Sequence, residues 1–142
     1  MRKTIRLVGT ILAAAALASS AVAQSSTQSP PLVRSPDGTE MTQYFVVLLR
    51  RGPAWTSAVT PETTKVSQGH QVNIQRLTKE GKMVVAGPFD GQTGERALAG
   101  IFILRVASMD EAKAAVATDP AVKAGRFVYE IAPWWGPRSL KY

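Results

Sequence analysis

Two runs of this sequence, Tyr44–Leu49 (YFVVLL) and Leu98–Val106 (LAGIFILRV), are apolar at odd and even positions alike, broken only by Arg105. Successive side chains of a strand point to opposite faces, so each run makes a strand that is apolar on both sides. Such strands need cover on two faces, which excludes a sheet with one fully wetted side. A chain of 142 residues has room for one ordinary domain and no second one.

The remaining segments supply part of that cover. Arg50-Arg51-Gly52-Pro53 ends the first strand. Thr60-Pro61-Glu62 then offers an N-cap, a proline at the first helical position and an acid in the first turn. The spacing predicts a helix from there to about Glu80, with Gly81 as its stop. Val66, His70, Ile74 and Leu77 follow one another at helical intervals and share one face. Lys82–Ala86 reads as a second strand closed by Gly87-Pro88, and Asp90–Glu95 as a turn-rich connection into the third strand, Leu98–Val106.

Ser108 and Glu111 form a capping box ahead of an alanine-rich helix that packs through Ala112, Ala115 and Val116. Asp119-Pro120 interrupts it and starts a short turn ending at Gly125. Arg126–Ile131 alternates Phe127, Tyr129 and Ile131 against Arg126, Val128 and Glu130 as a fourth strand. The order βαββαβ predicts an α+β, ferredoxin-like domain: a four-stranded antiparallel sheet with helices on one face. Two helices cover one face only, and an exposed apolar face is an aggregation liability, so a homodimer packed sheet to sheet is expected.

Ahead of the domain the composition changes. Arg2, Lys3 and Arg6 precede a nearly unbroken apolar stretch, Leu7–Ala18, and Ala21-Val22-Ala23 has the small residues of a cleavage site. Residues 1–23 read as a signal peptide, too short in its apolar part to span a bilayer, with Gln24 as the new N-terminus. No cysteine follows, so a lipoprotein is not expected, and a periplasmic or extracellular location without a stable membrane anchor is. Residues 24–40 are rich in Ser, Pro, Gln and Thr and read as a flexible leader. The domain itself is expected over 41–142.

Charge and composition narrow the partners. The net charge is +7, but without the first 23 residues 14 basic side chains face 10 acidic ones. No basic run in the expected mature chain exceeds Arg50-Arg51, which argues against nucleic acid, while a small organic ligand suits the modest positive balance. The chain has no cysteine, which excludes disulfides, thiolate metal sites and cysteine nucleophiles. With one histidine a zinc site would need two or three converging carboxylates, and neither a phosphate-binding glycine loop nor a nucleophile elbow is present, so no metal and no cofactor are expected.

His70, the lone histidine, sits on the helix face directed at the sheet. An imidazole there either relays protons near neutral pH or is a buried structural residue with satisfied nitrogens. Asp119 before Pro120 is an ideal N-cap, and one carboxylate oxygen can cap while the other bonds His70. Gly87, Pro88 and Phe89 end a strand, where they serve as a turn with a core plug or line a pocket mouth. Trp134-Trp135 suits an interface better than a pocket cover, and either Arg50 or Arg51 is placed to meet a substrate carboxylate.

Four segments in order carry a resemblance. Tyr44-Phe45-Val46, Gly69-His70, Ala86-Gly87-Pro88-Phe89 and Asp119-Pro120, with the ending Glu130-Ile131-Ala132-Pro133-Trp134-Trp135, resemble the YCII-related family over about Met41 to Trp135. The resemblance implies a dimeric α+β barrel with a pocket between helices and sheet, and a His–Asp dyad that falls on His70 and Asp119. It also implies lyase or isomerase chemistry on small ring compounds. The export signal departs from the family pattern. Two other readings stay open: a non-catalytic small-molecule-binding or structural dimer, and a haem-handling barrel with His70 as axial ligand.

Overall fold

The computed structural model describes residues 30–141, so the expected signal peptide and residues 24–29 of the leader lie outside the described residues. Eight elements follow one another: β1 (Leu32–Arg34), β2 (Glu40–Arg51), α1 (Pro61–Lys79), β3 (Met83–Pro88), β4 (Leu98–Leu104), α2 (Met109–Ala117), α3 (Pro120–Lys123) and β5 (Phe127–Pro137). All strand pairings are antiparallel, in the order β5-β2-β4-β3, with β1 beside the first residues of β2. Without β1 and the one-turn α3 the elements run βαββαβ, the ferredoxin-like order expected.

The leader needs correction. Part of the stretch expected to be flexible is β1, whose Leu32, Val33 and Arg34 pair with Thr42, Met41 and Glu40. The hairpin closes at Asp37-Gly38, where Gly38 has φ 84°, a conformation glycine adopts freely, and Thr39 donates its amide to the Asp37 carboxylate. Backbone pairing and turn chemistry order a segment too polar to order itself by burial.

The fourth expected strand is also longer than its alternation suggested. β5 continues beyond Ile131 through Pro133 to Pro137 and pairs with β2 from Met41 to Arg51. Pro133 lacks an amide hydrogen, but β5 is an edge strand, where a missing donor breaks no second ladder.

The two longer helices start where their capping residues dictate. Thr60 and Thr63 cap α1 reciprocally, side chain to backbone in both directions. Ser108 caps α2 through the Glu111 amide at 3.1 Å, while the Glu111 carboxylate takes the Ala107 amide at 3.1 Å, one residue outside the usual box. Ile74 and Leu77 from α1 and Ala112, Ala115 and Val116 from α2 bury against Phe45, Val47, Leu49, Phe102 and Leu104 of the sheet. The opposite face carries Val46, Leu48, Ile101 and Ile103, all partly exposed. No helix among the described residues is long and apolar enough to cross a membrane.

Candidate active site

The end of α2 and the middle of α1 meet at one buried carboxylate. Asp119 is fully buried, and an unpaired carboxylate there would carry a heavy desolvation cost. Three donors offset it. The Ala121 amide bonds Oδ1 at 2.8 Å, capping α3, and His70 Nδ1 lies 2.7 Å from Oδ2, with Asn73 Nδ2 at 3.5 Å. One oxygen caps and the other holds the imidazole. The network continues outward: Asn73 Oδ1 accepts from Arg76 at 2.8 Å and from the Thr118 hydroxyl at 2.9 Å.

This arrangement selects a tautomer. A carboxylate only accepts, so the neutral ring carries its proton on Nδ1 and presents Nε2 as a base. The imidazole is stacked against Phe102, with centroids 5.7 Å apart, and meets Phe127 edge-on at 5.4 Å. Hydrogen bond and ring contacts together fix its orientation. His70 keeps 14% of its side-chain surface exposed, and that exposure opens on a cavity of about 570 Å³.

The cavity has an apolar depth and a polar mouth. Leu49, Ile74 and Phe102 are buried in its wall, while Ser67, Gln71, Asp90 and Gln92 stand exposed around it. Gly87, Pro88 and Phe89 line it as well, and Phe89, 37% exposed, sits on the rim and is no core plug. Of the two arginines ending the first strand, Arg51 lines the cavity, whereas Arg50 pairs with Glu130 at 3.1 Å. Trp134 and Trp135 are not in its lining; Trp134 packs on Tyr44 with centroids 5.8 Å apart.

Three contributors went unread in the sequence: Asn73, Trp55 and Arg126. Asn73 occupies the helix face beside His70, and a polar residue within an apolar helix stripe was the available signal. Trp55 follows a Gly-Pro turn, and nothing local announces that it folds over Arg126. Among the described residues no group of three His, Asp or Glu side chains is placed to hold a metal ion.

A ferredoxin-like α+β domain with a helix histidine on a buried, helix-capping aspartate describes the class. Residues 43–135 match the YCII-related domain, and the chain belongs to that family. Among solved structures, a 5-chloro-2-hydroxyhydroquinone dehydrochlorinase from Burkholderia phenoliruptrix AC1100, in complex with 2,5-dihydroxybenzoquinone, is similar. It shares 23% identity at a TM-score of 0.48, over 64% of this chain and 92% of the other. A comparison with curated proteins gives no match.

Proposed function

We propose that the protein is an acid–base enzyme of the lyase or isomerase kind, acting on a small ring compound through His70, with Asp119 orienting it. The observation that carries this reading is the 2.7 Å contact between His70 Nδ1 and Asp119 Oδ2 at the edge of a 570 Å³ cavity. In the proposed step Nε2 takes a proton from an activated ring carbon, and the charge on the imidazolium is met by the buried carboxylate. The same nitrogen returns the proton to another carbon in an isomerisation, or to solvent when a leaving group departs. Apolar walls around the base exclude water and hold a planar substrate against it.

The test is proton exchange. Purified protein is incubated in deuterium oxide with cyclic 1,3-diketones and halogenated hydroquinones, and exchange and halide release are followed by mass spectrometry and ion chromatography. Catalysed exchange or elimination is expected, falling about 10²–10⁴-fold in His70→Gln. Equal rates in the variant, or none above buffer with either class, defeat the proposal.

A second reading rests on the completeness of the Asp119 network, which a purely structural histidine would also need. In that case His70→Gln lowers stability or ligand affinity and no reaction is found. Two further parts of the proposal concern setting. Export through residues 1–23 predicts that the secreted chain begins at Gln24, read by N-terminal sequencing. The apolar sheet face predicts a homodimer of the cleaved chain, packed sheet to sheet.

A further inference from the structure

Trp55, on the loop after β2, gathers two positive charges. The Arg51 guanidinium carbon lies 4.9 Å from the Trp55 ring centre and that of Arg126 lies 5.2 Å from it. Neither arginine has a carboxylate within 4 Å among the described residues. The nearest use of their donors is backbone: Arg51 Nη2 donates to the Gln92 carbonyl at 3.1 Å and Arg126 Nη2 to the Thr56 carbonyl at 3.2 Å. Arg126 Nη1 is shut off from solvent and has no hydrogen-bond partner at all. Buried polar groups are nearly always paired, so an orphan guanidinium donor beside a cavity marks a place where an acceptor belongs. The same mouth carries Asp90, but its Oδ1 takes the Gly91 amide at 2.8 Å and it reaches neither guanidinium.

Geometry ties this cationic corner to the base. Both arginines and Trp55 line the cavity that His70 lines. Phe127 touches both ends: its ring centroid is 5.7 Å from Trp55 and 5.4 Å from His70. The cavity they share, about 570 Å³, has room for a single aromatic ring with an acidic arm. The loop is anchored where it must be, since Gly52 donates to the Arg126 carbonyl at 2.8 Å and Ala54 to the Gly125 carbonyl at 3.0 Å. Those bonds anchor the backbone of the loop that carries Trp55.

We propose that Arg51 and Arg126, gathered on Trp55, form an acid-recognition subsite that binds the carboxylate of a small aromatic ring acid and sets its ring toward His70. This names the substrate class for the proposed reaction and rests on that reading for the cavity's use. Binding brings a carboxylate oxygen to Arg126 Nη1, with the Trp55 ring shifting to admit it, while Arg51 takes the second oxygen. A charge-assisted pair of this kind is stronger than a neutral one and gives directional preference. The aromatic walls accept the flat ring.

The experiment uses the mature chain and two probes of one shape, benzoate and its neutral isostere benzamide, in isothermal titration. Benzoate is expected to bind about tenfold or more tighter than benzamide at low salt. That preference shrinks as salt rises and is largely lost in Arg126→Met and in Arg51→Met. Trp55 fluorescence should change with benzoate, a response absent in Trp55→Phe. The two arginine variants are made separately, so a folding failure of one leaves the other to decide. The subsite is overturned if benzoate fails to bind at millimolar concentration, if benzamide binds as well, if either folded arginine variant keeps the full preference, or if inorganic phosphate competes as effectively as benzoate. Because binding is read at equilibrium with no turnover, this outcome is independent of whether His70 performs any reaction.

Discussion

Gly69 and Pro120 approach so closely that a Cβ on Gly69 would lie 3.0 Å from the proline Cγ and 3.2 Å from its Cβ. Gly69 precedes His70 on α1, and Pro120 follows Asp119 at the start of α3. The missing side chain is what lets the two elements close until the imidazole meets the carboxylate. Gly69→Ala should therefore act on the dyad more than on the fold. Alanine gains about 1 kcal/mol in helix propensity, and the forced shift against the proline ring opposes it. The expected outcome is an unfolding free energy within about 1 kcal/mol of wild type by urea titration, with a clear fall in catalysed proton exchange. An unchanged exchange rate would show that the close approach has no bearing on the site.

His70 and Asp119 should be thermodynamically coupled. His70→Ala strips a buried carboxylate of its nearest partner, a loss of about 3–5 kcal/mol for pairs of this kind. Asp119→Asn keeps an oxygen for the Ala121 amide and carries no charge to strand, so it should cost less. In the double variant the amide has no charge to leave unpaired, and the two losses should fall well short of adding. Urea unfolding of the four proteins measures this; strict additivity would mean that the pair makes no net interaction.

Glu80 gives a pH-dependent term. A hydrogen bond from Lys82 and then one from Arg76, at 2.9 Å and 2.6 Å, hold the carboxylate of this exposed residue below the ordinary value of 4.5, against a smaller opposing desolvation. A depressed folded-state value means stability that is present above the unfolded value and lost as pH falls through the folded one. Glu80→Gln should therefore melt lower than wild type at pH 7, and the difference should close as pH drops below 4.5. A difference that stays constant across that range contradicts the charge origin.

The sheet face of Val46, Leu48, Ile101 and Ile103 should hold two copies together. Light scattering after gel filtration is expected to give twice the 15.2 kDa chain mass, less the signal peptide where it has been cleaved. Ile103→Glu, a charge placed in that face, should give monomers. A wild-type monomer at micromolar concentration rules out the dimer.

The legible parts of this molecule were those whose physics is local. Thr60-Pro61 and Asp119-Pro120 announce helix starts by cap chemistry, and Val66, His70, Ile74 and Leu77 announce a face by spacing. That made the histidine's direction readable, and the cap made Asp119's second oxygen available. β1 was missed although Pro36-Asp37-Gly38 is a turn signal, because three residues carry no period. β5 runs past the alternation that ends at Ile131, and only its edge position makes Pro133 harmless there. Trp55 and Arg126 join across 71 positions through a loop closure that no local pattern encodes. Gly69 was visible as a residue but silent as a contact.

The most direct measurement exploits the fact that His70 is the chain's one histidine. Long-range ¹H–¹⁵N correlation of tag-free, ¹⁵N-labelled protein at a pH where the ring is neutral reports its tautomer without assignment. The carboxylate at Nδ1 predicts a protonated Nδ1 and a bare Nε2, and Asp119→Asn should disturb that pattern. A ring protonated at Nε2 with Nδ1 bare would contradict an imidazole held by Asp119 and poised as a base toward the cavity.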